Sequence, residues 1–300
     1  MNECMQTIYE TGIVPVVSLT NKDKAVGLAG ALLRGQVPVI EVAFRTPQAA
    51  ESLRAIRLAY PEMIVGAGTI IHLEQVEQAM NAGAMFIVSP GFDTTLVEYC
   101  RNRNIDIVPG VSCASEVQMG VRMGLKVLKF FPAETLGGLK MINFWSAPFS
   151  DIRFLPAGGC GFDNLAAYFH NPHVFACAGG FVARASHIES EDWEGVTALC
   201  RKAHETALSI RLYNVRAKEG DRLLRTLDFR AEHENLNMEN TLIYTTTSVE
   251  RAVAYLHKAG FSIAEQTAEW IEGILYSVFL SERAGEFRVL LKRAARGGLT

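Results

Sequence analysis

A lysine, Lys129, interrupts the otherwise apolar run VLKFF, which has the composition of a buried strand. Such a lysine points either into a core or at covering helices, where an ammonium group is poorly hydrated. Two interpretations fit this placement. The lysine can be structural, with its stem buried and its charge in a salt bridge, or it can be a desolvated amine that serves as the nucleophile of a Schiff base.

Two further charged residues lie in and just after a second apolar run, VIEVAF. Glu41 is inside that run, so a carboxylate and the Lys129 amine can face each other in one core. A buried ion pair is the structural alternative. Arg45 follows the run and could bind a substrate carboxylate through its planar guanidinium fork, although an arginine there is otherwise an ordinary surface charge.

The elements that would position these groups form a βα repeat between Gly12 and about residue 178. Short apolar runs alternate with amphipathic helical patterns, as is typical of parallel strands covered on both faces. Eight runs predict a (β/α)8 TIM barrel; a doubly wound open sheet is the alternative, but it would need no eighth strand. The predicted strands are Ile13–Ser18, Val37–Phe44, Met63–Thr69, Met85–Gly91, Asp106–Gly110, Leu125–Phe131, Ile152–Gly159 and Val174–Gly180.

In a parallel barrel, catalytic groups lie where strands end and βα loops begin. Several groups that could bind or transform a substrate occupy those positions here. They are Glu41, Arg45, Thr69, Pro90, Lys129 and Phe131, together with the glycine pairs Gly158-Gly159 and Gly179-Gly180.

A domain boundary is predicted after a long helical pattern, EDWEGVTALCRKAHETALSI, which ends near Ile210. Residues 1–210 form the predicted barrel and residues 211–300 a small α+β module. The module has the pattern of a strand, a charged helix-like stretch, a strand, a helix and then antiparallel strands.

Composition excludes several classes of function. The chain has 300 residues, a formal net charge of -3 and no long Lys/Arg run, so neither nucleic acid nor an anionic membrane is an expected partner. Six cysteines without C-x-x-C pairing argue against a zinc site or a disulfide framework. The acidic amino terminus and the lack of a long apolar run predict a cytoplasmic protein. No metal or cofactor is expected.

Six motifs resemble, in order, those of the class I 2-keto-3-deoxy-6-phosphogluconate (KDPG) and 4-hydroxy-2-oxoglutarate (KHG) aldolases. They are VIEVAFRTP, IVGAGT, IVSPGF, VPGVS, GLKVLKFFPAE with the following GGLK, and PAGG, and the resemblance covers about residues 5 to 208.

The resemblance implies a role for each of these side chains. Lys129 forms the imine and Glu41 shuttles protons. Arg45 and Thr69 hold the pyruvate carboxylate, while Pro90 and Phe131 wall its methyl group. It also implies a homotrimer, with a small 2-keto-3-deoxy sugar acid as substrate and pyruvate as a product.

The chain departs from the family pattern where the substrate phosphate would bind. Ala157 replaces the hydroxyl residue of a PTGG turn, and Gly180 aligns with the serine of a Gly-Gly-Ser turn. Backbone N–H groups of Gly158, Gly159 and Gly180 could still form an anion cradle. Alternatively, these glycines form only tight barrel turns.

The tail resembles half of the glyoxalase-like, vicinal-oxygen-chelate fold, an α+β extension with a βαβββ pattern that we expect to be non-catalytic. The metal ligands typical of that superfamily have no convincing counterpart here, since His233 and His257 fall in helix-like or loop context. The module is therefore expected to serve interaction or stability.

The expected function is a Schiff-base aldolase that cleaves KDPG to pyruvate and glyceraldehyde 3-phosphate, and that also acts on KHG. Two alternatives stay open at this point. One is an aldolase for an unphosphorylated 2-keto-3-deoxy sugar acid, and the other is a non-catalytic, ligand-sensing barrel.

Overall fold

The computed structural model describes residues 1–216, 241–285 and 287–295. The chain divides into two compact units, Met1–His204 and Glu205–Thr300. This division precedes the predicted boundary between residues 210 and 211, because Leu208 packs in the core of the second unit.

The first unit is an α/β structure built on a curled parallel sheet. Its strands are β1 (Ile13–Val17), β2 (Val39–Ala43), β3 (Ile64–Gly68), β4 (Phe86–Val88), β5 (Asp106–Val108), β6 (Gly110–Val111), β7 (Val127–Phe130), β8 (Arg153–Pro156) and β9 (Cys177–Gly179). Six of them pair in the order β5-β4-β3-β2-β1-β9, and three in the order β6-β7-β8. Isolated parallel bridges, Phe154 with Val174 and Ala157 with Ala178, join β8 to the β9 segment.

Each of the eight predicted strands coincides with an observed one, except that the fifth is divided in two. Pro109 separates β5 from β6, since it has no N–H to donate to a neighbouring strand. The Pro109 carbonyl instead accepts a hydrogen bond of 2.9 Å from the backbone N–H of Lys129. The segment therefore pairs with β4 on its first part and with β7 on its second.

Helices follow the strands along the chain. They are α1 (Glu3–Thr11), α2 (Asp23–Arg34), α3 (Ala49–Ala59), α4 (Leu73–Asn81), α5 (Thr94–Asn102), α6 (Ala114–Arg122), α7 (Gly138–Ser146), α8 (Leu165–His170), α9 (Ala185–Glu189) and α10 (Trp193–Leu208). The helical patterns in the sequence correctly predict α2, α3, α4 and α10, because each has a buried apolar face.

Helix α1 was not predicted, although it packs against the amino ends of the strands. Asn2 caps its first turn by accepting a hydrogen bond from the Met5 N–H, and Gly12 ends it in a left-handed conformation. Cys4 and Ile8 of α1 pack in one cluster with interior strand residues such as Val39. Burial in that cluster stabilises α1 beyond what its short and weakly periodic sequence indicates.

The second unit contains a five-stranded sheet and one helix among its described residues. Its strands are β10 (Arg211–Arg216), β11 (Thr241–Thr246), β12 (Glu269–Ile271), β13 (Ile274–Ala284) and β14 (Phe287–Arg293), in the order β10-β11-β14-β13-β12. Only β11 and β14 pair in parallel. Helix α11 (Val249–Lys258) lies between β11 and β12 in the chain and packs through Val249 and Ala252 into a separate apolar cluster. The predicted charged helix-like stretch after β10 falls largely outside the described residues.

Candidate active site

The structure brings Lys129 and Glu41 together inside the curled sheet of the first unit. Lys129 is the third residue of β7 and Glu41 the third of β2, and their Nζ and Oε1 atoms are 3.4 Å apart. The side chain of Glu41 is 0% exposed and that of Lys129 is 8% exposed. Removing each charge from water costs several kcal/mol, and the attraction across one long contact offsets little of that cost. Stability alone therefore does not explain this pair.

Glu41 retains an unsatisfied oxygen. Its Oε2 is fully buried and has no hydrogen-bond partner among the described residues, whereas buried polar atoms normally have one. A carboxylate held in this way can accept a hydrogen bond from a ligand hydroxyl or a proton in a reaction.

A glycine on the adjacent strand makes the space for Glu41. The strands β2 and β3 pair in register, with Ala43 opposite Gly68. A Cβ atom on Gly68 would lie 1.9 Å from Glu41 Oε1, far inside any possible contact. The motif IVGAGT marks this position in the sequence, but the need for a glycine becomes visible only from the distance to Glu41.

Phe131 lies near the Lys129 amine, and Pro90 lies against the strand that pairs with β7. The Lys129 Nζ is 5.6 Å from the centroid of the half-buried Phe131 ring, within cation–π range. Pro90 follows β4, and its carbonyl lies against Gly110, the residue of β6 that pairs with Lys129. A Cβ on Gly110 would lie 2.1 Å from the Pro90 carbonyl oxygen. Phe131 therefore borders the Lys129 side chain, and Pro90 borders the backbone of the neighbouring strand.

Arg45 and Thr69 form a second pair, at the carboxyl ends of β2 and β3. Arg45 is exposed, and its Nε donates a hydrogen bond of 3.1 Å to Thr69 Oγ1. Thr69 has φ 59°, a left-handed conformation that is rare for a β-branched residue. Strain of this kind persists where the surroundings enforce it, and it clusters at ligand sites. The neighbouring hydrogen bonds, Phe44 N–H to the Gly68 carbonyl and Ile70 N–H to the Val88 carbonyl, enforce it here.

The two glycine pairs differ in their backbone geometry. Gly158 and Gly159 have φ of 87° and 97°, so this turn requires glycine. Gly179 and Gly180 do not have positive φ, and the one described atom that a Cβ on Gly180 would meet is the Val16 carbonyl oxygen, at 3.6 Å. The first turn is therefore explained by backbone conformation, whereas a side chain fits at Gly180.

A tyrosine and a carboxylate that sequence reasoning missed support the first glycine turn. The Tyr168 hydroxyl donates a hydrogen bond to Glu134, and burial together with that carboxylate raises the pKa of Tyr168. The Glu134 N–H in turn donates to the Gly158 carbonyl at 3.0 Å, and a Cβ on Gly159 would lie 2.4 Å from Glu134 Cγ. Glu134 belongs to the motif GLKVLKFFPAE, which could have identified it; Tyr168 has no comparable signal.

An aromatic pair, also missed, connects the loops after β8 and β9. The rings of Phe162 and Phe181 are 5.7 Å apart and nearly perpendicular, a favourable edge-to-face arrangement. Phe181 immediately follows Gly180, so this contact positions the second glycine turn.

Within the described residues, no group of three or more His, Cys, Asp or Glu side chains is arranged to hold a metal ion. His257 lies in α11, where a ring nitrogen contacts the Phe261 carbonyl at 3.2 Å. His233 lies outside the described residues. None of the described helices is both long and apolar enough to cross a membrane.

Comparison with known proteins identifies related sequences and structures for the first two thirds of the chain. Residues 4–199 match the family model for KDPG and KHG aldolases. The chain is 42% identical over 202 residues to the 2-dehydro-3-deoxy-phosphogluconate aldolase of Treponema pallidum, covering 66% of this chain and 96% of that protein. It is 39% identical over 203 residues to the KHG/KDPG aldolase of Escherichia coli K12, covering 67% and 95%.

A similar solved structure is that of the KDPG aldolase from Legionella pneumophila, with pyruvate captured as a covalent carbinolamine intermediate. The sequence identity is 32% and the TM-score is 0.65, over 67% of this chain and 98% of that one. These matches concern the part of the chain that carries the Lys129–Glu41 pair.

Proposed function

The chain belongs to the family of KDPG and KHG aldolases, class I carbon–carbon lyases, and from this premise we propose that it cleaves KDPG through a Schiff base on Lys129. The products are pyruvate and glyceraldehyde 3-phosphate. The observation that carries the assignment of residues is the buried contact of 3.4 Å between Lys129 Nζ and Glu41 Oε1.

Imine formation begins with a proton transfer from the Lys129 ammonium to Glu41 across that contact. The free amine attacks the C2 carbonyl of the substrate, and one proton passes from the nitrogen to the C2 oxygen to give a neutral carbinolamine. Glu41 returns its proton to that hydroxyl, which leaves as water and produces the iminium ion. One carboxylate can serve both transfers, because its second oxygen has no other partner among the described residues.

Cleavage uses the iminium ion as an electron sink. Glu41 removes the proton of the C4 hydroxyl, the C3–C4 bond breaks and its electron pair forms an enamine on Lys129. The aldehyde leaves first. Glu41 then delivers its proton to C3, and water hydrolyses the pyruvyl imine to release pyruvate and regenerate the amine.

Substrate binding uses the groups around the amine. Arg45 and the Thr69 hydroxyl bind the carboxylate of the keto acid, since their contact of 3.1 Å places two donors at adjacent strand ends. Pro90 and Phe131 form the wall next to the methyl group of pyruvate. The backbone N–H groups of Gly158, Gly159, Gly179 and Gly180 form the cradle for the distal phosphate.

Acceptance of KHG, or of an unphosphorylated sugar acid, is a second candidate activity that a specific observation favours. Neither Ala157 nor Gly180 supplies a hydroxyl to the cradle. The phosphate therefore has fewer donors, which reduces the advantage of the phosphorylated substrate over smaller acids. The non-catalytic, ligand-sensing alternative does not account for the uncompensated burial of Glu41.

The complete architecture and assembly belong to the same proposal. The parallel strands of the first unit form a closed (β/α)8 barrel, supported by the bridges between β8 and β9 and by the pairing of residues 106–111 on both sides. The order β11-β14-β13-β12 with α11 after β11 supports a glyoxalase-like βαβββ module. The six cysteines are free, in keeping with a reducing cytoplasm, and the family resemblance favours a trimer.

Borohydride trapping tests the Schiff base directly. Reduction in the presence of pyruvate is expected to inactivate the enzyme and to add one reduced pyruvyl group to Lys129, because borohydride captures only the imine. Peptide mass spectrometry locates the label. Modification of Lys126 or Lys140 in place of Lys129 would contradict the assignment.

A further inference from the structure

A cleft of about 630 Å³ opens at the amino ends of the strands in the first unit, away from the carboxyl ends that carry Arg45 and Thr69. Helix α1 covers this end only in part. The cleft is bordered by Asn2 and Met5 from the start of α1 and by the first residues of β7 and β8. The proposed aldolase reaction makes no use of it.

The carboxylates around the cleft have hydrogen-bond or ion-pair partners, whereas two of its guanidinium groups have none among the described residues. Asp106 accepts a hydrogen bond of 2.6 Å from the Asn2 side chain, and Asp151 pairs with Lys126 at 3.5 Å. In contrast, the guanidinium groups of Arg101 and Arg153 make no hydrogen bond or ion pair among the described residues. Both carboxylates are therefore engaged, while two cations with planar donor forks remain available.

Arg153 is held in place without an anionic partner. It is half-buried as the first residue of β8, and its guanidinium carbon is 4.7 Å from the centroid of the Tyr9 ring. Such a contact orients the guanidinium but leaves its N–H donors free in the plane of the fork. Arg101 lies over Gly124, where a Cβ would be 3.2 Å from its Nη1 atom.

The lining of the cleft includes the apolar residues Met5, Val127 and Phe175. Apolar lining residues together with two guanidinium groups fit a ligand with an apolar or aromatic body and an anionic head. We propose that this cleft binds a small organic oxyanion, either a phosphate monoester or a carboxylate, whose head is held by Arg153 and Arg101. The site is independent of the chemistry at Lys129.

Methionine methyl NMR on the full-length chain can test this, because Met5 lines the cleft. The Met5 signal is assigned with Met5→Leu, and the protein is titrated with phenyl phosphate, benzoate and phenol. Both anions are expected to shift the Met5 methyl resonance and phenol is not. Comparison of the two anions distinguishes a phosphate head from a carboxylate head.

Variants identify the groups that hold the anion. Arg153→Gln is expected to raise the Kd obtained from the Met5 titration by about tenfold or more, the effect of losing a charge-assisted hydrogen bond. Arg101→Gln, a change of an exposed side chain, should also raise it and remains informative if Arg153→Gln does not fold. Arg122→Gln, an exposed arginine of α6 outside the cleft, is the matched control and should leave the response unchanged.

Three results would overturn the proposal. One is the absence of a Met5 shift with either anion at millimolar concentration, and another is an equal shift with phenol. The third is an equal loss of affinity in Arg122→Gln and the two cleft variants, which would indicate a general effect of net charge.

Discussion

One set of buried polar groups in each unit can be compared, and the two sets are satisfied in different ways. In the second unit, Thr246 and Thr247 are buried, and their hydroxyls donate to the carbonyls of Leu208 and Ala207 at 2.7 and 2.6 Å. In the first unit, Lys129 and Glu41 are buried charges that contact each other at 3.4 Å and leave one carboxylate oxygen without a partner among the described residues. Buried hydroxyls bonded to the backbone indicate structure, whereas a buried charge with an unused acceptor indicates chemistry.

The comparison predicts that a change at Lys129 has the largest effect on catalysis. Lys129→Arg should reduce kcat by roughly 10⁴-fold or more, the scale for losing a covalent nucleophile, since a guanidinium stays protonated. The assay couples pyruvate formation to lactate dehydrogenase. Lys126→Arg is the matched control, because its exposed side chain pairs with Asp151 and lies outside the catalytic site, and its kcat should equal that of the unaltered enzyme.

Glu41→Gln should produce the next largest effect. The amide keeps the size of the side chain but cannot accept the C4 hydroxyl proton, so kcat should fall by about 10²-fold or more. Imine formation should survive, and borohydride with pyruvate should still label Lys129. An unchanged kcat would remove Glu41 from the mechanism.

Gly180→Ser should have a smaller effect, confined to one class of substrate. A serine side chain fits there, because a Cβ would lie at an ordinary contact distance of 3.6 Å from the Val16 carbonyl. One added hydrogen bond to the phosphate should lower KM for KDPG by about tenfold, with no change for an unphosphorylated acid.

Gly180→Ala is the control for that measurement, since it adds the carbon without the hydroxyl and should leave KM unchanged. If Gly180→Ser does not alter the ratio of kcat/KM between the two substrates, Gly180 does not border the phosphate.

Removing the second unit should have the smallest effect on catalysis. Every group assigned to the reaction lies in the first unit, so a chain ending after Ile210 should keep its kcat/KM for pyruvate formation. Circular dichroism and the coupled assay are measured together. A folded but inactive truncated protein would show that the second unit completes the site.

Much of the first unit could be predicted from local sequence. The apolar runs locate the strands because parallel strands covered on both faces require them, and Lys129 and Glu41 stand out because each interrupts such a run. The motifs around them indicate the family. In the second unit, the βαβββ pattern requires a strand between α11 and β13, but the local sequence did not locate β12, since its three residues are all exposed.

Sequence alone determined which residue types lie on the strands, and hence that an amine, a carboxylate and an arginine lie near the ends of parallel strands. Only the tertiary structure decided the distances between strands, because register depends on packing of the whole sheet. That register places Gly68 against Glu41, leaves Oε2 of Glu41 without a partner in the described part of the chain and gives Thr69 its left-handed conformation. The cleft beneath α1 likewise depends on residues from separate segments, which no local pattern connects.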